Sequence, residues 1–120
     1  MFQKESGNWT DYRAKFGLEK EDEIDLHFGR RDDRQMTYDD VMAQVEELVK
    51  NTLREAQNKG REYVMFCHGW STSEGWKKTT ARSVVRGFMC SKTATPLIVR
   101  KCCIQHDSVF VARVRPKPTE

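Results

Sequence analysis

Two histidines and an aspartate stand where proton-transfer chemistry on a phosphate ester can be done. Asp25 and His27 lie two residues apart in the segment IDLHF (24–28), and His68 opens the polar stretch HGWSTSEG (68–75). An imidazole exchanges a proton near neutral pH, and a carboxylate can orient it or take part in a metal-bound water site, so these three are the candidate catalytic residues. The stretch after His68 adds anion chemistry. Gly69 and Gly75 leave backbone N–H groups open to a ligand, Ser71, Thr72 and Ser73 bring hydroxyl donors, and Lys77, Lys78, Arg82, Arg86 and Lys92 bring positive charge. Trp70 and Trp76 offer flat faces on which bases stack. Each feature has a plainer alternative: histidines satisfied within the structure, an ordinary turn, and tryptophans packed against the next helix. Gln105, His106 and Asp107 form a third polar group, read either as a hydrogen-bonded pair of His106 with Asp107 or as a simple turn.

These residues need elements to hold them. Ile24, Leu26 and Phe28 alternate with Asp25 and His27, the pattern of a short strand with one buried face. Behind Thr37 and Asp40, which resemble an acidic capping box, Val41, Val45, Leu48, Val49, Leu53 and Ala56 recur at helical spacing. That helix should end between Asn58 and Gly60, where glycine supplies the left-handed cap. The run REYVMFC (61–67) has too few polar positions for an exposed ribbon and reads as a central strand. Thr79 or Thr80 caps a second helix to about Met89, with Val84, Val85, Phe88 and Met89 inward and Arg82 and Arg86 on one face at i,i+4. LIVRKCCI and SVFVARVR, separated by QHD, read as an antiparallel hairpin. The order βαβαββ predicts an α/β two-layer sandwich with a mixed four-stranded sheet, its first three strands running parallel through helical crossovers. Strands 24–28 and 61–67, if parallel neighbours, deliver Asp25, His27 and His68 to the same sheet edge, where α/β folds place ligands.

Size and charge bound what this site can serve. The chain has 120 residues and 14.1 kDa, enough for one domain with a modest core. Its net charge of +3 hides a division. Residues 1–60 carry 10 basic and 14 acidic side chains, a net of −4, and residues 61–120 carry 11 and 4, a net of +7. The second half is the candidate anion-binding half. Cys67, Cys90, Cys102 and Cys103 offer no CxxC pair or zinc-finger spacing, and read as reduced structural thiols of a cytoplasmic protein. The absence of a compact acidic cluster speaks against two-metal hydrolysis and leaves a single divalent ion as a candidate cofactor. No apolar run approaches the roughly 20 residues that span a bilayer, and the N-terminus lacks an apolar signal core, so membrane spanning and signal-directed secretion are not expected. Residues 1–23 mix charges with Trp9, Tyr12, Phe16 and Leu18, as a mobile arm or as an extended layer pinned by its aromatics. Residues 24–115 form the expected domain and 116–120 a short tail.

IDLHF, the helix through Leu53, YVMFC (63–67), HGWSTSEG and the helix that follows together resemble the Smr (small MutS-related) domain, over about residues 24–114. The resemblance implies a fold similar to the C-terminal domain of bacterial translation initiation factor three, and a function in binding or nicking DNA or cleaving RNA. Asp25, Leu26 and His27 stand for the family's strand motif in its DLH form. His68 and Gly69 occupy the start of its glycine-rich turn, Ser71 to Ser73 the polar middle, and Gly75 the later glycine. The lysine-bearing version of that turn is absent, and a charged stretch from Gly29 to Met36 replaces the short glycine turn after the first motif. The expectation is a nucleic-acid-binding domain with endonuclease activity on DNA or RNA. In that chemistry His27 moves a proton, His68 assists the leaving oxygen, and Arg82 or Lys78 stabilises phosphate charge. The alternative is a non-catalytic nucleic-acid-binding or protein-interaction module built on the same surface.

Overall fold

Burial on both faces makes Tyr63–Cys67 the strand around which the fold is ordered. Its even-numbered residues Val64 and Phe66 face one core and its odd-numbered Met65 the other, as the two-residue period of a strand requires. The structure, a computed structural model, describes residues 2–26, 38–69 and 81–117, with the backbone alone for 38–41. Along the chain these form β1 (Gln3–Glu5), α1 (Tyr12–Lys15), β2 (Glu23–Asp25), α2 (Tyr38–Lys59), β3 (Tyr63–Cys67), α3 (Ala81–Met89), β4 (Ile104–His106) and β5 (Val109–Arg113). Two 3-10 turns, Lys20–Asp22 and Arg100–Cys102, precede β2 and β4.

The sheet is mixed and open, in the order β1-β4-β5-β3-β2. β2 runs parallel to β3, with Asp25 opposite Cys67, and β1 runs parallel to β4. β5 lies antiparallel to both of its neighbours, β3 and β4. The expected parallel placement of the two strands leading to the site therefore holds, as does the hairpin. The carboxyl ends of β1, β2, β3 and β4 and the start of β5 all meet at one edge.

Helices α2 and α3 cover one face. In α2, Met42, Val45, Val49, Leu53 and Ala56 are buried at three- and four-residue spacing, against Phe66, Phe110 and Ala112 of the sheet. Each large aliphatic side chain so removed from water contributes roughly 1.5–3 kcal/mol before entropy is counted. The helix stops where the sequence says it should. Gly60 takes φ +72° and donates its N–H to the Gln57 carbonyl at 3.2 Å, while Arg61 donates to the Ala56 carbonyl at 2.9 Å, the paired bonds of a Schellman cap. Of the expected caps, Thr37, Thr79 and Thr80 lie outside the described residues.

Two differences from the sequence reading matter. The sheet has five strands where periodicity indicates four, because Gln3–Glu5 adds itself alongside β4 through backbone pairing. The second face is also covered: Trp9, Tyr12, Phe16 and Leu18 pack on Met65, Ile104, Val109 and Val111. The N-terminal segment is thus the aromatic-pinned layer, and a helical layer on one side alone does not describe the packing. Likewise LIVRKCCI is a strand only at its end. Ile98 makes an isolated bridge to Val114, and Arg100 turns back to donate to the Met89 carbonyl (2.8 Å) and the Ser91 carbonyl (2.6 Å), closing the end of α3 instead of continuing a ladder. No helix among the described residues is long and apolar enough to cross a membrane.

Candidate functional site

The alternation that buries β3 also decides which polar groups share a face at the carboxyl edge. Counting on from Val64 and Phe66, His68 falls on the helix side, and it is buried, with 3% of its surface exposed. Its Nδ1 lies 2.8 Å from the Gly69 carbonyl, which puts the ring proton on Nδ1 and leaves Nε2 as an acceptor. Gly69 takes φ +80°, the left-handed backbone that glycine adopts without strain, and donates its N–H to the Ser108 carbonyl at 3.0 Å. Burial, opposed by the Gly69 hydrogen bond and reinforced by the positive charges of Arg86 and Arg82, pushes the His68 imidazole down to about 4. At neutral pH it is an uncharged acceptor.

Arg82 and Arg86 reach the same region from one face of α3, as their spacing predicts. Arg82 donates through Nη1 to the Asp107 carbonyl at 3.3 Å, and Arg86 through Nη2 to the His106 carbonyl at 3.2 Å. Burial first, then the neighbouring Arg82 charge, lowers Arg86 from its ordinary value, while Asp107 works in the opposite direction. Two buried atoms, His68 Nε2 and Arg86 Nε, have no hydrogen-bond partner among the described residues. Both belong to this cluster. A buried polar atom left unpaired costs about 1–3 kcal/mol.

Asp25 reaches the same edge on the other face. Its register partner is Cys67, whose side chain packs with the N-terminal aromatic layer, and burial followed by the carboxylates of Glu23 and Asp25 pushes the Cys67 thiol up to about 11. The described geometry therefore gathers His68, Gly69, Arg82 and Arg86, and sets Asp25 across the sheet from them. His27, Trp70, Ser71, Thr72, Ser73, Gly75, Trp76, Lys77 and Lys78 lie outside the described residues. Lys92 is exposed beyond the far end of α3. Among the described residues no three His, Cys, Asp or Glu side chains are grouped to hold a metal ion, so a divalent ion finds no ligand set there.

The part of the site that residue types did not reveal is the β4–β5 turn. His106 is buried, and Gln105 and His106 complete β4. Instead of pairing with Asp107, the His106 ring holds backbone: Nδ1 accepts the Ser108 N–H at 2.9 Å and Nε2 donates to the Gly7 carbonyl at 2.8 Å. The carbonyls that the two arginines grip carry no sequence signature. Comparison of the chain with family models, with curated proteins and with solved structures finds no match.

Proposed function

We propose that this chain is an Smr-like nucleic-acid-binding domain that seats a backbone phosphate of DNA or RNA at the carboxyl edge of β3, against Arg82 and Arg86. The supporting observation is the pair of arginines whose described partners are neutral carbonyls, beside a histidine kept uncharged and unpartnered at Nε2. Carbonyl acceptors orient a guanidinium without cancelling its charge, which leaves the charge for an anion. The glycine- and hydroxyl-bearing stretch 69–75 continues from this point in sequence, with Lys77 and Lys78 behind it. In the finer form of the fold reading, the β2–β5 core with α2 and α3 is the Smr-type βαβαββ unit, and the N-terminal layer is an addition to it. A cytoplasmic setting suits the chain's four cysteines, all free.

Cleavage of the phosphodiester is the stronger form of this reading, and the state of His68 restricts the part it plays there. A neutral imidazole with a free Nε2 lone pair can only accept a proton there, which makes His68 a base in place of the acid expected from sequence, and a weak one, because burial and the two neighbouring cations disfavour the protonated ring. Asp25, set across the sheet from His68, takes no part in that step.

Wild type, Arg82→Gln/Arg86→Gln and His27→Ala are to be titrated with single-stranded DNA, duplex DNA and RNA across a salt series, then incubated with and without a chelator. The double arginine variant should bind at least about tenfold more weakly, with a salt dependence shallower by roughly one to two phosphates' worth of released counterions. Equal affinity and slope in that variant would remove the assignment. Binding without cleavage that is specific to the wild type leaves the non-catalytic module, and absence of saturable binding at low salt points to a protein-interaction role.

A further inference from the structure

Three successive backbone carbonyls of the β4–β5 turn are engaged by other parts of the chain. The His106 carbonyl takes Arg86, the Asp107 carbonyl takes Arg82, and the Ser108 carbonyl takes the Gly69 N–H. The Ser108 N–H turns inward to His106 Nδ1. On its far side the same ring donates to Gly7 and meets the edge of the Tyr12 ring, centroids 5.9 Å apart. Tyr12 in turn donates to the Glu5 carboxylate at the end of β1. His106 is wedged between the N-terminal layer and the turn, and it holds both through backbone atoms.

We infer that His106 is a positioning residue: it fixes the turn whose carbonyls aim Arg82 and Arg86 at the ligand, and it ties that turn to the N-terminal layer. The inference rests on the nucleic-acid reading for what the arginines hold, and on the turn's geometry for how they are held. Arg86 contacts the backbone of residue 106, so any side chain there leaves the acceptor chemically in place. An effect of substitution on Arg86 must therefore travel through the shape of the turn. The imidazole Nδ1 does what an asparagine carbonyl does in an Asx-turn, accepting the N–H two residues on. Asparagine at 106 should restore that bond, and alanine cannot.

The test uses the full chain as wild type, His106→Ala and His106→Asn, with Val111→Ala as a control that loosens the same core cluster without touching the turn. In the protein free of nucleic acid, proton exchange at the Arg86 Nη2 hydrogens should quicken about tenfold or more in His106→Ala, return most of the way in His106→Asn, and stay near wild type in Val111→Ala. In salt titrations with an oligonucleotide, His106→Ala should bind several-fold more weakly with a slope shallower by about one phosphate, and His106→Asn should recover it. Unchanged Arg86 exchange in His106→Ala, or an equal rise in Val111→Ala, overturns the positioning role whether or not nucleic acid binds. If wild type itself binds neither DNA nor RNA, the nucleic-acid reading falls, and the exchange measurement alone decides for or against His106.

Discussion

The two ends of the sheet are both rich in cations and partner most of them differently. At the end where β3 begins, Arg61 donates to both oxygens of buried Asp22 at 2.8 and 2.6 Å and reaches Glu19, Arg113 pairs with Glu62, and Lys59 pairs with Glu55. Arg115 there donates to the Thr95 and Ile98 carbonyls. An open groove lined by Lys59, Arg61, Arg113, Arg115 and Lys117 results, yet most of its charge is already answered. At the opposite end Arg82 and Arg86 make no ion pair among the described residues and sit beside a histidine that carries no charge. A basic half of a chain is thus a poor locator of a binding site.

That contrast is sharpest in acid. His68 takes its proton near 6.5 in the unfolded chain and only near 4 in the folded one, so between those values the unfolded state holds the extra proton and stability rises with pH. Coming down from neutral pH, the loss should begin near 6.5, reach about 3 kcal/mol by pH 4 and then level. His68→Leu should remove this limb from the urea-derived stability profile. A variant with the same slope as wild type over pH 4–6.5 would place the unpaired group elsewhere. At the other end the slope has the same sign but belongs to lower pH. Burial pushes Asp22 up, but hydrogen bonds from Arg61 and the Glu19 N–H outweigh it and hold the carboxyl below its ordinary value, so its contribution is present at neutral pH and fades only in stronger acid. Asp22→Ala removes the acceptor for those bonds and should cost about 2 kcal/mol at neutral pH. Oligonucleotide affinity should not change with it.

Much of this scaffold could be read from residue spacing, because α2, β3 and β5 bury long periodic stretches and burial is what periodicity reports. β1 could not. Gln3, Lys4 and Glu5 have no apolar alternation, and they form a strand because an edge of β4 offers backbone partners and Phe2 meets the Phe110 ring edge-on at 5.0 Å. Residues 97–103 failed for the opposite reason: LIVRKCC is strand-like in composition, but the chain turns at Arg100–Cys102, where the Arg100 guanidinium holds the Met89 and Ser91 carbonyls at and just past the end of α3. Within the site, the shared face of Arg82 and Arg86 followed from i,i+4 spacing, and the parallel placement of Asp25 and His68 from strand order. That Asp25 and His68 point to opposite faces depends on register, and the turn carbonyls that hold the arginines belong to the backbone, which every sequence has.

If the arginines of the site end are held for a ligand and not for the fold, removing one should be nearly free. Arg86→Met keeps the aliphatic stem, gives up one bond to the His106 carbonyl and relieves an unpaired buried Nε–H, so stability should stay within about 1 kcal/mol of wild type while oligonucleotide binding weakens. A loss as large as that of Asp22→Ala would erase the distinction between the two ends and make Arg86 a structural cation.

The smallest effect belongs to the exposed pair at the opposite end. Arg113 donates to Glu62, whose side chain is 63% exposed, and its guanidinium also lies over the Tyr63 ring, 5.1 Å from the centroid. Water competes for both charges, and ordering two long side chains offsets much of the attraction, so Glu62→Gln should change stability by no more than about 0.5 kcal/mol. It does, however, uncover a cation. If an answered charge is what keeps this groove from acting as a phosphate site, Glu62→Gln should strengthen oligonucleotide binding slightly and steepen its salt dependence, a gain that must persist in the Arg82→Gln/Arg86→Gln background. A gain that vanishes in that background would mean that the groove and the β3 edge contact one continuous ligand, and the two ends would then be halves of a single surface.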